Sequence, residues 1–79
     1  MIVESITPDS LLFEGEAKAV VFPGVDGFFE ILNNHAALIS PLTNGNIKLT
    51  DNSDKVENFT IDGGVVEVLN NKVLVLVEA

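Results

Sequence analysis

His35 and Glu30 are the two side chains of this sequence whose types and spacing could do acid–base chemistry. An imidazole exchanges a proton near neutral pH, and a carboxylate five positions away could orient it. Such chemistry needs further groups. His35 is the only histidine and there is no cysteine, so neither a nucleophilic triad nor a metal set can be assembled around it. The plainer reading is a histidine at a turn, bonded to nearby backbone, with Glu30 on the solvent face of a strand. Other motifs fail too. No glycine-rich loop runs into Lys and Ser/Thr, so there is no nucleotide cradle of that kind. Asp51-Asn52-Ser53-Asp54 resembles the start of a calcium loop, but Lys55 stands where a third ligand belongs and the glycine is missing, which leaves a hairpin tip. Asn58-Phe59-Thr60 has the form of a glycosylation sequon inside a strand. No catalytic group, cofactor site or metal site is expected.

Around His35 the stretch GFFEILNNHAALIS, residues 27–40, is the densest in the chain. In a strand Phe28 and Phe29 point to opposite faces. Phe29 shares parity with Ile31 and is assigned to the core; Phe28 shares a face with Glu30 and Leu32 and is partly solvent-facing. Phe28 covers the end of the fold or offers an aromatic contact to a partner, and periodicity leaves both open.

The elements that must hold these residues read as strands. Apolar residues alternate or run in short blocks, with breakers about every eight to ten residues. Thr7-Pro8-Asp9-Ser10 separates MIVESI from LLFEG; Pro23-Gly24-Val25-Asp26-Gly27 ends EAKAVVF. GNIKLT puts Ile47 and Leu49 on one face, and VENFTI turns Phe59 and Ile61 inward. Asp62-Gly63-Gly64 makes a turn. GVVEVL and KVLVLV flank Asn70-Asn71, a pair that tolerates the positive φ of a two-residue hairpin. VLVLV, residues 73–77, reads as a buried strand. Residues 33–40 alone could form a helical turn, capped by Asn33 or Asn34 and closed by Pro41. The expected fold is all-β, a two-sheet β-sandwich or flattened barrel of about 8–10 short strands in a single domain, residues 1–79.

Composition narrows the function classes. A chain of 79 residues buries only roughly 60% of its unfolded surface, which predicts marginal stability. Without cysteine it carries no disulfide or thiolate chemistry. Twelve acidic residues face four lysines and no arginine, a net charge of −8, which disfavours nucleic acid, anionic lipid and phosphate. No apolar run reaches the length of about 20 residues that spans a bilayer, and no basic residue precedes Lys18 as a signal peptide would require. A soluble, cytoplasmic protein is the expectation.

The segment LLFEGEAKAVVFPGVDGFFEILNNHAALISPLTNGNIKL, followed by DGGVVEVLNNKVLVL, resembles the N-terminal β-sandwich domain of the ATP synthase epsilon subunit, called delta in mitochondria. Phe13 with Gly15, Pro23-Gly24, Gly27, His35-Ala36 with Leu38, Gly45 and the run from Gly63 to Val68 carry the likeness. The resemblance implies a rotor subunit at the foot of the central stalk of a proton- or sodium-translocating motor. It implies the gamma subunit and the membrane c-ring as partners, catalytic sites on other subunits, and a peripheral place on the cytoplasmic face of the bacterial plasma membrane. It places Gly27, Phe28 and Glu30 near the c-ring, and His35, Ala36 and Leu38 toward gamma. The alternative is a free-standing β-sandwich adaptor or ligand carrier that shares the fold and not the assembly.

Two departures from the family matter. Phe28 stands where many relatives have an acidic residue, and Asn33-Asn34 stands where Pro-Gly is common, with Ala37 in place of a usual proline. Relatives also continue into a C-terminal pair of helices, whereas this sequence stops at Ala79. The expectation is a short form without that helical domain and without the shut-off of ATP hydrolysis those helices provide.

Overall fold

The computed structural model describes residues 1–7 and 9–78, and every regular element among them is a strand. In chain order these are β1 (Ile2–Ile6), β2 (Leu11–Glu16), β3 (Ala19–Gly24), β4 (Gly27–Leu32), β5 (Leu38–Leu42), β6 (Gly45–Thr50), β7 (Val56–Ile61), β8 (Gly63–Leu69) and β9 (Lys72–Glu78). They pair in the order β2-β1-β9-β8-β5-β3-β6-β7, with β4 added to β3. All pairs are antiparallel except β1 with β9. The link between β3 and β5 is a single residue pair, Gly24 with Leu42. At that seam the sheet folds over into two layers, β2-β1-β9-β8-β5 and β4-β3-β6-β7. This is the expected all-β sandwich.

Period-two alternation builds the core between the layers. Val3, Val66, Val68, Val73, Val75 and Val77 face inward from the first layer; Val20, Phe22, Ile31, Ile47, Leu49 and Ile61 meet them from the second. Phe29 packs against this cluster and stacks on Phe22 at 5.6 Å between ring centroids, whereas Phe28 is 72% exposed. The parity assigned to the two phenylalanines is therefore the one observed. Phe13 of β2 and Phe59 of β7 meet edge to face at 5.6 Å. Those strands are the two ends of the pairing order, so this aromatic contact closes the sandwich where no backbone ladder does.

The turns follow their residue chemistry. Asn70 and Asn71 have φ of 50° and 60°, the two positive values of a tight hairpin. Asp51 Oδ1 accepts from the amides of Ser53 and Lys55 at 2.8 and 2.9 Å, which makes this loop a self-capped tip. There Lys18 pairs with Asp54 across the surface, an exposed contact worth about 0–1 kcal/mol. Thr7 N–H donates to the Ser10 carbonyl at 2.8 Å; Pro8 of that expected turn lies outside the described residues, as does Ala79.

Four expectations change. Asp62-Gly63-Gly64 is not a turn: Asp62 alone bends the chain, and Gly63 and Gly64 are already paired in β8 with Glu78 and Val77. Residues 33–40 hold no helical turn: Asn33-Asn34 is a tight turn and residues 38–42 are strand. A lone helical turn fixes several dihedrals for one hydrogen bond, whereas β5 gains a ladder with β8 from Leu38–Val68 to Leu42–Gly64. Pro23-Gly24 does not end β3; both residues stay in the strand opposite Phe28 and Gly27, and the turn is Val25-Asp26. Gly24 is needed there, because a Cβ would stand 2.8 Å from the Gly27 carbonyl oxygen. The run 73–77 is buried on one face only. Val73, Val75 and Val77 are inside, and Leu76 is 48% exposed.

Candidate docking surface

Glu30 is exposed on β4 and His35 is half-buried just beyond its end. The His35 amide donates to the Leu32 carbonyl at 3.2 Å, and its Nδ1 lies 2.8 Å from the Ala36 carbonyl oxygen. A carbonyl only accepts, so Nδ1 is the donor of this bond. This is the turn histidine bonded to backbone. Among the described residues no three His, Cys, Asp or Glu side chains converge as a metal set, and no helix is long and apolar enough to cross a membrane.

The residues singled out from sequence sit at the two ends of β4. Gly27, with φ of 125°, opens the strand beside the exposed turn residues Val25 and Asp26. Phe28, Glu30 and Leu32 then form one exposed row. At the far end come Asn33-Asn34, His35 and Ala36. Leu38 turns inward and packs on the core, which leaves it less available than its neighbours. A strand of this length separates the two groups by roughly 17 Å.

A larger surface was missed in the sequence. The registers of β1, β9, β8 and β5 set Ile6, Leu76, Val65 and Pro41 in one row across the outside of the first layer. A second row holds Glu4, Leu74, Glu67 and Ile39; a third holds Ile2, Lys72 and Leu69. Ile39 is 71% exposed, and Ile2, Leu69 and Leu76 are about half exposed. Shallow depressions open on this face, one by Ile6, Val65 and Leu76 and one by Ala37, Ile39 and Leu69. Glu4, Glu14, Glu16, Glu67 and Glu78 surround or interrupt it, with Lys72 the one cation in its rows. The signal that could have found it was apolar residues at both parities of β9. Strands of that composition have both faces covered, and here the chain covers only one.

The candidate site is the apolar outer face of a small acidic sandwich. The family model for the β-sandwich domain of the ATP synthase delta/epsilon chain matches residues 1–79, and the chain belongs to that family. It is 38% identical over 76 residues to an ATP synthase epsilon chain of Chlorobium limicola, spanning 96% of this chain and 86% of the relative. It is 42% identical over 76 residues to one of Sulfurimonas denitrificans, of which it spans 58%. In the mitochondrial ATP synthase of Euglena gracilis, solved as OSCP, F1 and c-ring, one chain shares the fold with a TM-score of 0.92 at 19% identity, over 98% of this chain and 49% of that one. A chain from the central stalk and c-ring of the Tetrahymena thermophila enzyme gives 0.80 at 21% identity, over 99% of this chain and 63% of that one.

Proposed function

We propose that this chain is a non-catalytic subunit of the central stalk of a bacterial rotary ATP synthase, joining gamma to the membrane c-ring at the cytoplasmic face of the membrane. Family membership over residues 1–79 supplies the assembly. The observation that carries the mode of action is the apolar outer face of β5, β8, β9 and β1, which a chain of net charge −8 leaves in water unless a partner covers it.

In this reading gamma covers that face and reaches the His35–Ala36 corner beside it. The β3–β4 tip, with Gly27, Phe28 and Glu30, meets the polar loops of the ring. Leu76, Val65 and Ile39 supply the desolvated centre and the surrounding carboxylates the polar rim, an arrangement that concentrates binding energy in a few residues. The rim's charge selects a gamma surface with lysine or arginine around an apolar centre. Torque then passes through a rigid sandwich held at both ends of β4. The protons or sodium ions that drive it flow elsewhere in the motor.

Co-purification tests the assembly. Tagged chain expressed at native level and recovered from native membranes should bring gamma and c subunits, identified by mass. Recovery of the chain alone, or with partners foreign to the motor, would contradict the reading.

A further inference from the structure

The His35 corner is built from segments far apart in sequence. Asn34 turns with φ of 62°, and the His35 amide closes the turn on the Leu32 carbonyl; the closed turn is further tied to distant segments. Two bonds do this. Asn33 Oδ1 accepts from the Met1 amine at 2.6 Å. Asn34 N–H donates to Asn71 Oδ1 at 2.7 Å, across 37 positions. Asn71 is itself fixed: it sits half-buried in the β8–β9 hairpin with φ of 60°, and its carbonyl accepts from Ile2 N–H at 3.2 Å. Asn34, His35, Ala37, Leu69, Asn70 and Asn71 line one shallow groove. The corner and the hairpin therefore form a single surface, and it borders the apolar outer face at Leu69.

We propose that Asn71 is a positioning residue for docking: its side chain locks the His35 segment to the β8–β9 hairpin, so that the two meet the partner as one preformed surface. The inference rests on the proposed function, because the partner is taken to be gamma. A segment already in its bound conformation loses less entropy on association. If the unlocked segment held the docking conformation in about one molecule in ten, affinity would fall about tenfold with no contact removed.

Two variants separate this role from a merely structural one. Asn71→Gly keeps the positive φ of the hairpin and deletes the acceptor. Asn71→Asp keeps both the acceptor and tolerance of that φ. Hydrogen exchange of the Asn34 amide would be followed by NMR in the free chain, and affinity for purified gamma by titration calorimetry. In Asn71→Gly exchange should accelerate by about tenfold, the worth of one hydrogen bond, and gamma affinity should fall by a similar factor. In Asn71→Asp both should return toward wild type. Faster exchange with unchanged gamma affinity would overturn the positioning role, as would unchanged exchange. Failure of the wild type to bind gamma would bring down the proposed function and the docking role with it; the exchange result would still decide whether the lock exists.

Discussion

At the scale of single residues the phenylalanine pair separates stability from contact. Phe29 lies on the core side and Phe28 is 72% exposed, so Phe28→Ala should leave the fold intact. At a desolvated centre of the ring contact the truncation would cost on the order of 1–3 kcal/mol. ATP-driven ion pumping in membranes should fall while hydrolysis by the catalytic head continues, and Phe28→Asp should impair pumping further; wild-type pumping in both would reduce Phe28 to surface cover. His35→Ala and Glu30→Gln should leave that hydrolysis in place, since neither side chain belongs to a converging catalytic set. Loss of turnover in either would contradict the role given to this corner. Gly64→Ala is the opposite case. Gly64 has φ of 154°, and a Cβ there would press into the Leu76 carbonyl oxygen. Urea unfolding should show a loss on the order of 2–4 kcal/mol, in the range of strained core substitutions; a loss within measurement error would mean that β8 and β9 can part locally at no cost.

At the scale of elements the sandwich is an open sheet whose first and last strands are joined by side chains. If the Phe13–Phe59 contact closes it, a double-mutant cycle with Phe13→Leu and Phe59→Leu should give a coupling of about 0.5–1.5 kcal/mol. Zero coupling would show the two rings to be independent filler. Strand positions were legible because alternation and turn chemistry are local: Ile47 with Leu49, Phe59 with Ile61, and the Asn70-Asn71 hairpin all follow from neighbours in sequence. What escaped was set by partners distant in sequence. Residues 33–40 read as a candidate helical turn until β8 offers Leu38–Leu42 a ladder. Leu74 and Leu76 read as buried because their run is continuous, and only the register beside Ile6 and Val65 shows them lined up on an outer face. The Asn71–Asn34 bond spans 37 positions, and nothing local in either asparagine announces it. Of the candidate site, parity made the exposed row of Phe28, Glu30 and Leu32 legible, and the broad outer face was not.

At the scale of the whole molecule, charge and apolar area pull toward one outcome. A net charge of −8 over 79 residues makes copies of the free chain repel one another. The apolar residues of the rows across β5, β8, β9 and β1 give a basic, apolar-centred partner something to bury. Rim charges mainly set the approach, so raising the salt should slow association more than it speeds dissociation. In the proposed function gamma binds this outer face together with the His35 corner. Titrating unlabelled gamma into the isotope-labelled chain and mapping the amide shifts tests it most directly. Perturbations should concentrate on Ile39, Val65, Leu69, Leu74 and Leu76 and on the segment from Asn34 to Ala37, while β6 and β7 stay unchanged. A spectrum indifferent to gamma, or shifts confined to β6 and β7, would contradict it.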